Sequence, residues 1–196
     1  MMLKKALAIA ALAAAVVAAA PARADDRYPV FDFNKLFRSD GNAGMVARSS
    51  PIGRQTASID PKYSPGSIVI STSERRLYYV TSRGQAIQYG VGVGRPGFQW
   101  SGVKTVSAKK EWPSWTPPAQ MLKRRPDLPR HMPGGLDNPL GARAMYLGSS
   151  LYRIHGSNEP ETIGQAVSSG CFRMTNDDVV DLYSRVRVGA PVYVLR

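Results

Sequence analysis

The chain has 196 residues, a formal net charge of +12 at pH 7, one cysteine and two histidines. One cysteine excludes an internal disulfide. No C-x-x-C and no closely spaced His/Cys pair offers a metal framework, so the expectation is no metal. In an exported chain the basic balance points to anionic envelope polymers or membrane surfaces rather than nucleic acid, and it says nothing about chemistry.

Residues 1–24 have the three-part layout of a secretory signal peptide. Lys4 and Lys5 form a positive head, residues 6–20 are an unbroken apolar run, and Ala22-Arg23-Ala24 supplies the small-x-small cleavage pattern. The run holds about 15 residues, short of the roughly 20 that a membrane-spanning helix needs. Cleavage after Ala24 leaves 172 residues, a size expected of one domain with a tail. Lys4, Lys5 and Arg23 leave with the leader, so the remainder keeps a formal charge of +9.

Residues 25–64 read as a weakly structured lead-in containing an aromatic cluster of Tyr28, Phe31, Phe33 and Phe37. From Gly66 the pattern turns to strands. Residues 68–70, 77–80 and 86–93 are β-branched or aromatic runs separated by short polar turns, which predicts an antiparallel meander. Residues 94–142 are rich in Pro, Gly and Trp and read as irregular. Strand character returns at 144–147 and 151–154. Thr175 is a good helix N-cap, with Asp177 and Asp178 in the first turn. Val179, Val180, Tyr183 and Val186 then recur at helical spacing, Gly189 ends the segment, and residues 191–195 form a closing strand. The prediction is a mostly β chain with one dependable helix.

Gly92-Val93-Gly94-Arg95-Pro96-Gly97 matches G-x-G-x-x-G by letter. A dinucleotide site needs that motif to open a helix, and Pro96, Gly97, Gln99 and Trp100 carry no helical periodicity. The glycines read as a strand end and a turn.

Chemistry concentrates between residues 154 and 176. His155 ends a strand. Cys171 follows a Ser-Ser-Gly turn and lies just before the capped helix. Taken singly, a buried Cys packs like a small hydrophobe, and His155 reads as a hydrogen-bonded strand-end residue. Together they match what acyl transfer through a thiol needs. His155 is the base for the Cys171 proton. The helix start and Arg173 are expected to lower the thiol pKa. Backbone amides of the turn at Ser169, Gly170 and Cys171 are the expected oxyanion donors. A carbonyl near Gly156 is the expected partner for the other imidazole nitrogen. The stretch Trp112-Pro113-Ser114-Trp115 either lines the cleft or packs on the sheet.

His155-Gly156-Ser157-Asn158 and Ser168-Ser169-Gly170-Cys171-Phe172-Arg173-Met174 resemble the signature of the L,D-transpeptidase catalytic domain (YkuD/ErfK type). Trp112-Pro113-Ser114-Trp115-Thr116-Pro117-Pro118, Pro133-Gly134-Gly135 and Asn138-Pro139-Leu140-Gly141-Ala142-Arg143-Ala144 add supporting matches, and the similarity runs from about residue 67 to 195. The resemblance implies a β-sandwich-like catalytic domain over residues 65–196, with Cys171 attacking, His155 as its base and the Gly156 carbonyl orienting that base. Ser168, Ser169, Gly170, Arg173 and Trp112 would bind substrate, Arg173 through a carboxylate. Ser169 stands where the family often has His, and Ser168 matches the Ser/Thr before it. The implied enzyme is periplasmic, needs no metal or organic cofactor and acts on peptidoglycan stem peptides. A tetrapeptide donor would lose its terminal D-alanine to form a Cys thioester, and an amine on a second stem would resolve it as a 3→3 crosslink. Water as acceptor would give a carboxypeptidase, and a lysine of an envelope protein would give wall anchoring. A non-catalytic wall-binding module is the alternative from another class.

Overall fold

The computed structural model describes residues 50–196. The expected leader and the aromatic cluster at Tyr28, Phe31, Phe33 and Phe37 lie outside those residues.

The meander forms as predicted. Strands β2 (Ile68–Ser71), β3 (Arg76–Ser82) and β4 (Gln85–Gly90) pair antiparallel in order. Ile68, Ile70, Leu77 and Tyr89 are fully buried on one face and supply the first part of the main core, while Val69 and Val80 pack with Tyr63 on the other face. The described part of the lead-in adds β1 (Gln55–Ser58), antiparallel to β4 at the sheet edge. Its sequence, Gln-Thr-Ala-Ser, buries no residue fully and carries no apolar alternation, so only pairing with β4 reveals it as a strand.

The stretch expected to be irregular holds the longest strand. After the two-residue β5 (Val93–Gly94) comes β6 (Gly102–Glu111), which pairs with β7 (Arg143–Leu147) on one side and with the closing strand β11 (Pro191–Leu195) on the other. Only Val106 of β6 is buried, so its composition gives no apolar run. Strand pairing on both edges overrides that weak local signal. Short helix α1 (Ala119–Arg124) lies in the same stretch, near a small core of Trp115, Leu128 and Leu140.

Strand β8 (Arg153–His155) pairs antiparallel with β7, β9 (Ala166–Ser168) pairs parallel with β5, and β10 (Phe172–Arg173) pairs parallel with β8. Among the described residues the large sheet has nine strands in the order β1-β4-β3-β2-β11-β6-β7-β8-β10. Strand β11 lies parallel to β2 and so joins the meander to the site-bearing half.

Helix α2 (Asn176–Arg185) starts where the cap predicts. The Thr175 side chain accepts a hydrogen bond from the Asp178 amide at 3.2 Å, and Asp177 and Asp178 lie in the first turn. Its buried Val179 and Leu182 belong to the same core as Ile154, Phe172 and Met174. Each such side chain contributes roughly 1.5–3 kcal/mol by leaving water. At the C-terminal end the Lys109 ammonium donates to the Tyr183 and Val186 carbonyls at 2.7 Å each. A β6 lysine thereby meets the electronegative end of the helix and fixes it to the sheet.

Candidate active site

The site lies where β8 and β10 meet. Ile154 is beside Phe172 and His155 beside Arg173 in parallel register, and the Met174 amide donates to the His155 carbonyl at 2.8 Å. Side chains alternate across a strand. Ile154, Phe172 and Met174 enter the core. The alternate residues Arg153, His155, Cys171 and Arg173 therefore share the other face. Cys171 precedes Phe172, which sets it beside Arg153 and diagonal to His155. With strands about 4.8 Å apart and a rise of about 3.3 Å per residue, that diagonal is about 8 Å between Cα atoms. An imidazole and a thiol can reach each other over this distance.

One nitrogen orients the imidazole. His155 Nδ1 donates to the Gly156 carbonyl at 2.6 Å, because a carbonyl can only accept. That places the proton on Nδ1 and leaves Nε2 as a base. Burial pushes the His155 pKa down to about 3; the Arg173 and Arg153 cations add to this and the Gly156 carbonyl opposes it. The ring is neutral across the physiological range.

Gly156 is itself held. Its amide donates to the Arg143 carbonyl at 3.0 Å. A Cβ on either Gly156 or Gly141 would run into Asn176 Oδ1, and that oxygen accepts the Ala142 amide at 2.8 Å. Asn176, the first residue of α2, thus clamps the Gly141-Ala142 turn against the residue that orients the base. Sequence reasoning missed Asn176. Its partner is 34 positions away, and an Asn next to a helix cap has an ordinary explanation.

The nucleophile loop is tied from inside. Ser168 Oγ donates to the Cys171 carbonyl at 2.6 Å and accepts the Gly170 amide at 3.1 Å. Gly170 has φ +104°, and a Cβ there would meet the Tyr152 ring at 2.6 Å. Only glycine suits both demands. The Gly170 carbonyl accepts from the Trp100 indole at 2.8 Å, and Trp100 stacks on Tyr152 with ring centroids 4.6 Å apart.

Four expectations change with this geometry. Ser168 is buried and shapes the loop instead of facing a ligand. The Gly170 amide is engaged by Ser168, so among the described residues the Ser169 and Cys171 amides are the turn donors without a partner. Arg173 forms an ion pair with Glu159 at 3.0 Å, with side-chain exposures of 16% and 17%, so its guanidinium already has a carboxylate. The thiol is not held as a thiolate. Burial pushes the Cys171 pKa up, and the Arg153 and Arg173 cations offset this only in part. The half-buried thiol donates to the Leu151 carbonyl at 3.6 Å, and no hydrogen bond joins it to the imidazole. The resting pair is thus a neutral thiol and a neutral imidazole.

Trp112 stays 42% exposed with φ +39°, and its amide donates to the Ala142 carbonyl at 2.8 Å, whereas Trp115 is the buried member of the pair. A basic group lies on the other side of the loop. The Arg95 amide donates to the Ser168 carbonyl at 3.0 Å. The guanidinium groups of Arg95 and Arg124 lie 4.3 and 5.3 Å from the centre of the same ring, Phe98. Burial, then the Arg124 and Arg173 cations, push the Arg95 pKa down.

The profile of the YkuD family, the L,D-transpeptidase catalytic domain, matches residues 65–194. The chain belongs to this family. Similar YkuD-family relatives include "Probable L,D-transpeptidase ErfK/SrfK" of Escherichia coli (strain K12), 39% identical over 137 residues, and "Probable L,D-transpeptidase YbiS" of the same strain, 40% identical over 134 residues. These matches cover 65% and 64% of this chain but 43% of each relative, so the chain spans less than half the length of the curated proteins it resembles. Among solved structures, one described as a "Probable carnitine operon oxidoreductase caia" from Brucella melitensis is 43% identical, with TM-score 0.51, over 73% of this chain and 93% of that one. L,D-transpeptidase 3 from Mycobacterium tuberculosis, solved with a faropenem-derived adduct, aligns with TM-score 0.54 at 18% identity, over 66% of this chain and 59% of that one. At that identity the likeness is one of fold.

Proposed function

We propose that this protein is an exported cysteine acyltransferase of the periplasm that joins peptidoglycan stem peptides through 3→3 crosslinks. The observation that carries the reading is the 2.6 Å contact from His155 Nδ1 to the Gly156 carbonyl. It leaves Nε2 unprotonated on the face that also carries Cys171.

In the proposed reaction Nε2 takes the thiol proton as Sγ attacks the carbonyl of the third residue of a tetrapeptide donor. The Ser169 and Cys171 amides receive the developing oxyanion. Collapse breaks the peptide bond, His155 returns its proton to the departing D-alanine amine, and a thioester remains. The side-chain amine of a second stem then attacks. His155 takes the proton from that amine, and the thiol is restored when the new amide forms. Both His155 and Cys171 start neutral, so the ion pair forms only when substrate arrives. With Arg173 bound to Glu159, we assign substrate carboxylates to Arg95 and Arg124, which have no acidic partner among the described residues.

Incubation of the mature protein with purified muropeptides, read by mass spectrometry, tests the reaction. A 3→3 dimer is expected, with loss of one D-alanine. Shortened monomers would instead mean water as the acceptor, and failure to form either product would overturn the reading. A carbapenem should add covalently to Cys171. An unmodified thiol in an enzyme that turns over would remove Cys171 as the nucleophile.

A further inference from the structure

The Arg153 guanidinium has no use in the scheme above. Parallel register places Arg153 beside Cys171, one residue before the Ile154–Phe172 pair. The side chain is half-buried and lies 5.2 Å over the Tyr146 ring. Its Nε is buried and has no hydrogen-bond acceptor among the described residues. No carboxylate there pairs with it, in contrast to Arg173 with Glu159 and Arg143 with Glu111. Arg153 and Cys171 lie on the same face of the ladder, and the Arg153 cation is the largest charge opposing the burial that raises the Cys171 thiol. A buried guanidinium N–H without an acceptor is unfavourable, and such groups in native folds call for an explanation.

We infer that Arg153 is a catalytic residue, whose guanidinium holds the Cys171 sulfur as its negative charge develops. The inference rests on Cys171 being the nucleophile. When Nε2 of His155 removes the proton, the half-buried sulfur gains charge. Arg153 supplies a permanent cation and N–H donors at that atom. The guanidinium also lies near His155, where its charge disfavours the imidazolium that proton transfer creates. Its net value therefore depends on contact with sulfur being closer than contact with the ring. The other charged group acting on the sulfur is Arg173 on β10, which is paired with Glu159, and the neutral imidazole of His155 lies on β8.

The test needs no peptide. Cys171 is alkylated with neutral iodoacetamide across a pH series in wild type, Arg153→Gln, Arg153→Lys and Arg173→Gln. The Gln variant at 153 should move the alkylation midpoint up by about one pH unit and slow alkylation at neutral pH about tenfold. Lys at 153 should restore most of the wild-type profile, and Arg173→Gln should shift it less. A wild-type profile in Arg153→Gln would overturn the inference. If Arg153→Gln does not fold, Arg153→Lys decides: the same midpoint as wild type supports a cation at the sulfur, and a large upward shift counts against it. Muropeptide turnover is measured on the same samples. An inert wild type with a shifted Arg153→Gln profile would discard the peptidoglycan reading and leave the role of Arg153 standing.

Discussion

The two faces of the β8–β10 pair have opposite chemistry within a few residues of chain. One face carries Ile154, Phe172 and Met174, all within 1% of full burial, packed with Val179 and Leu182 of α2. The other carries Arg153, His155, Cys171 and Arg173. The pleat separates them, so one hydrogen-bonded ladder both closes the core and aligns the reacting groups. A one-residue slip of β10 would turn its faces over, putting Arg173 and either Cys171 or Thr175 where Phe172 and Met174 now sit. The apolar face thereby sets the register on which the polar face depends.

Substitutions on the two faces should separate activity from stability. Cys171→Ser is expected to lower muropeptide turnover by at least about 10³-fold, with a melting temperature close to wild type. A large loss of stability would show that the thiol belongs to the core. His155→Gln should lower turnover by about 10²–10⁴-fold.

His155 also predicts a pH effect on folding. The ring titrates at about 3 in the fold, against 6.5 ordinarily. As pH falls the unfolded chain binds this proton first. His155 therefore leaves stability intact above about 6.5 and removes up to about 1.4 kcal/mol per pH unit between 6.5 and 3. Denaturant titrations of wild type and His155→Gln should differ in slope over that window, and equal slopes would mean the ring is solvated.

Phe172→Ala, on the apolar face, should cost about 3–5 kcal/mol of stability by chemical denaturation, with any loss of activity following the unfolded fraction. Asn176→Ala has the smallest expected effect, about 1–3 kcal/mol, because it leaves the Ala142 amide without its acceptor. It should also lower kcat more than it changes KM, since Gly156 would lose its support. Asn176→Asp keeps an acceptor and should recover most of kcat; no recovery would make Asn176 a packing residue only.

Much of this was legible from local pattern. Strands β2, β3, β4 and β11 announce themselves by apolar runs, and α2 by Thr175 and its acidic first turn. Cys171, His155 and Gly156 stand out because residues of their types cluster beside a turn and a helix start. Strand β6 was invisible, since Lys104, Lys109 and Lys110 leave it only Val106 as a buried anchor. Arg153 looked like any strand arginine until register set it against the sulfur. The pairing of Arg173 with Glu159 and the capture of the Gly170 amide by Ser168 joined residues whose types allow many other partners.

The order of residues by itself determined which groups could react and where the meander, the closing strand and α2 would form, because helix caps, alternation and glycine turns act over a few neighbours. The state of those groups was decided by the tertiary structure. Burial raises the thiol, lowers the imidazole and leaves one guanidinium N–H without an acceptor among the described residues, and burial depends on contacts between strands far apart in the chain.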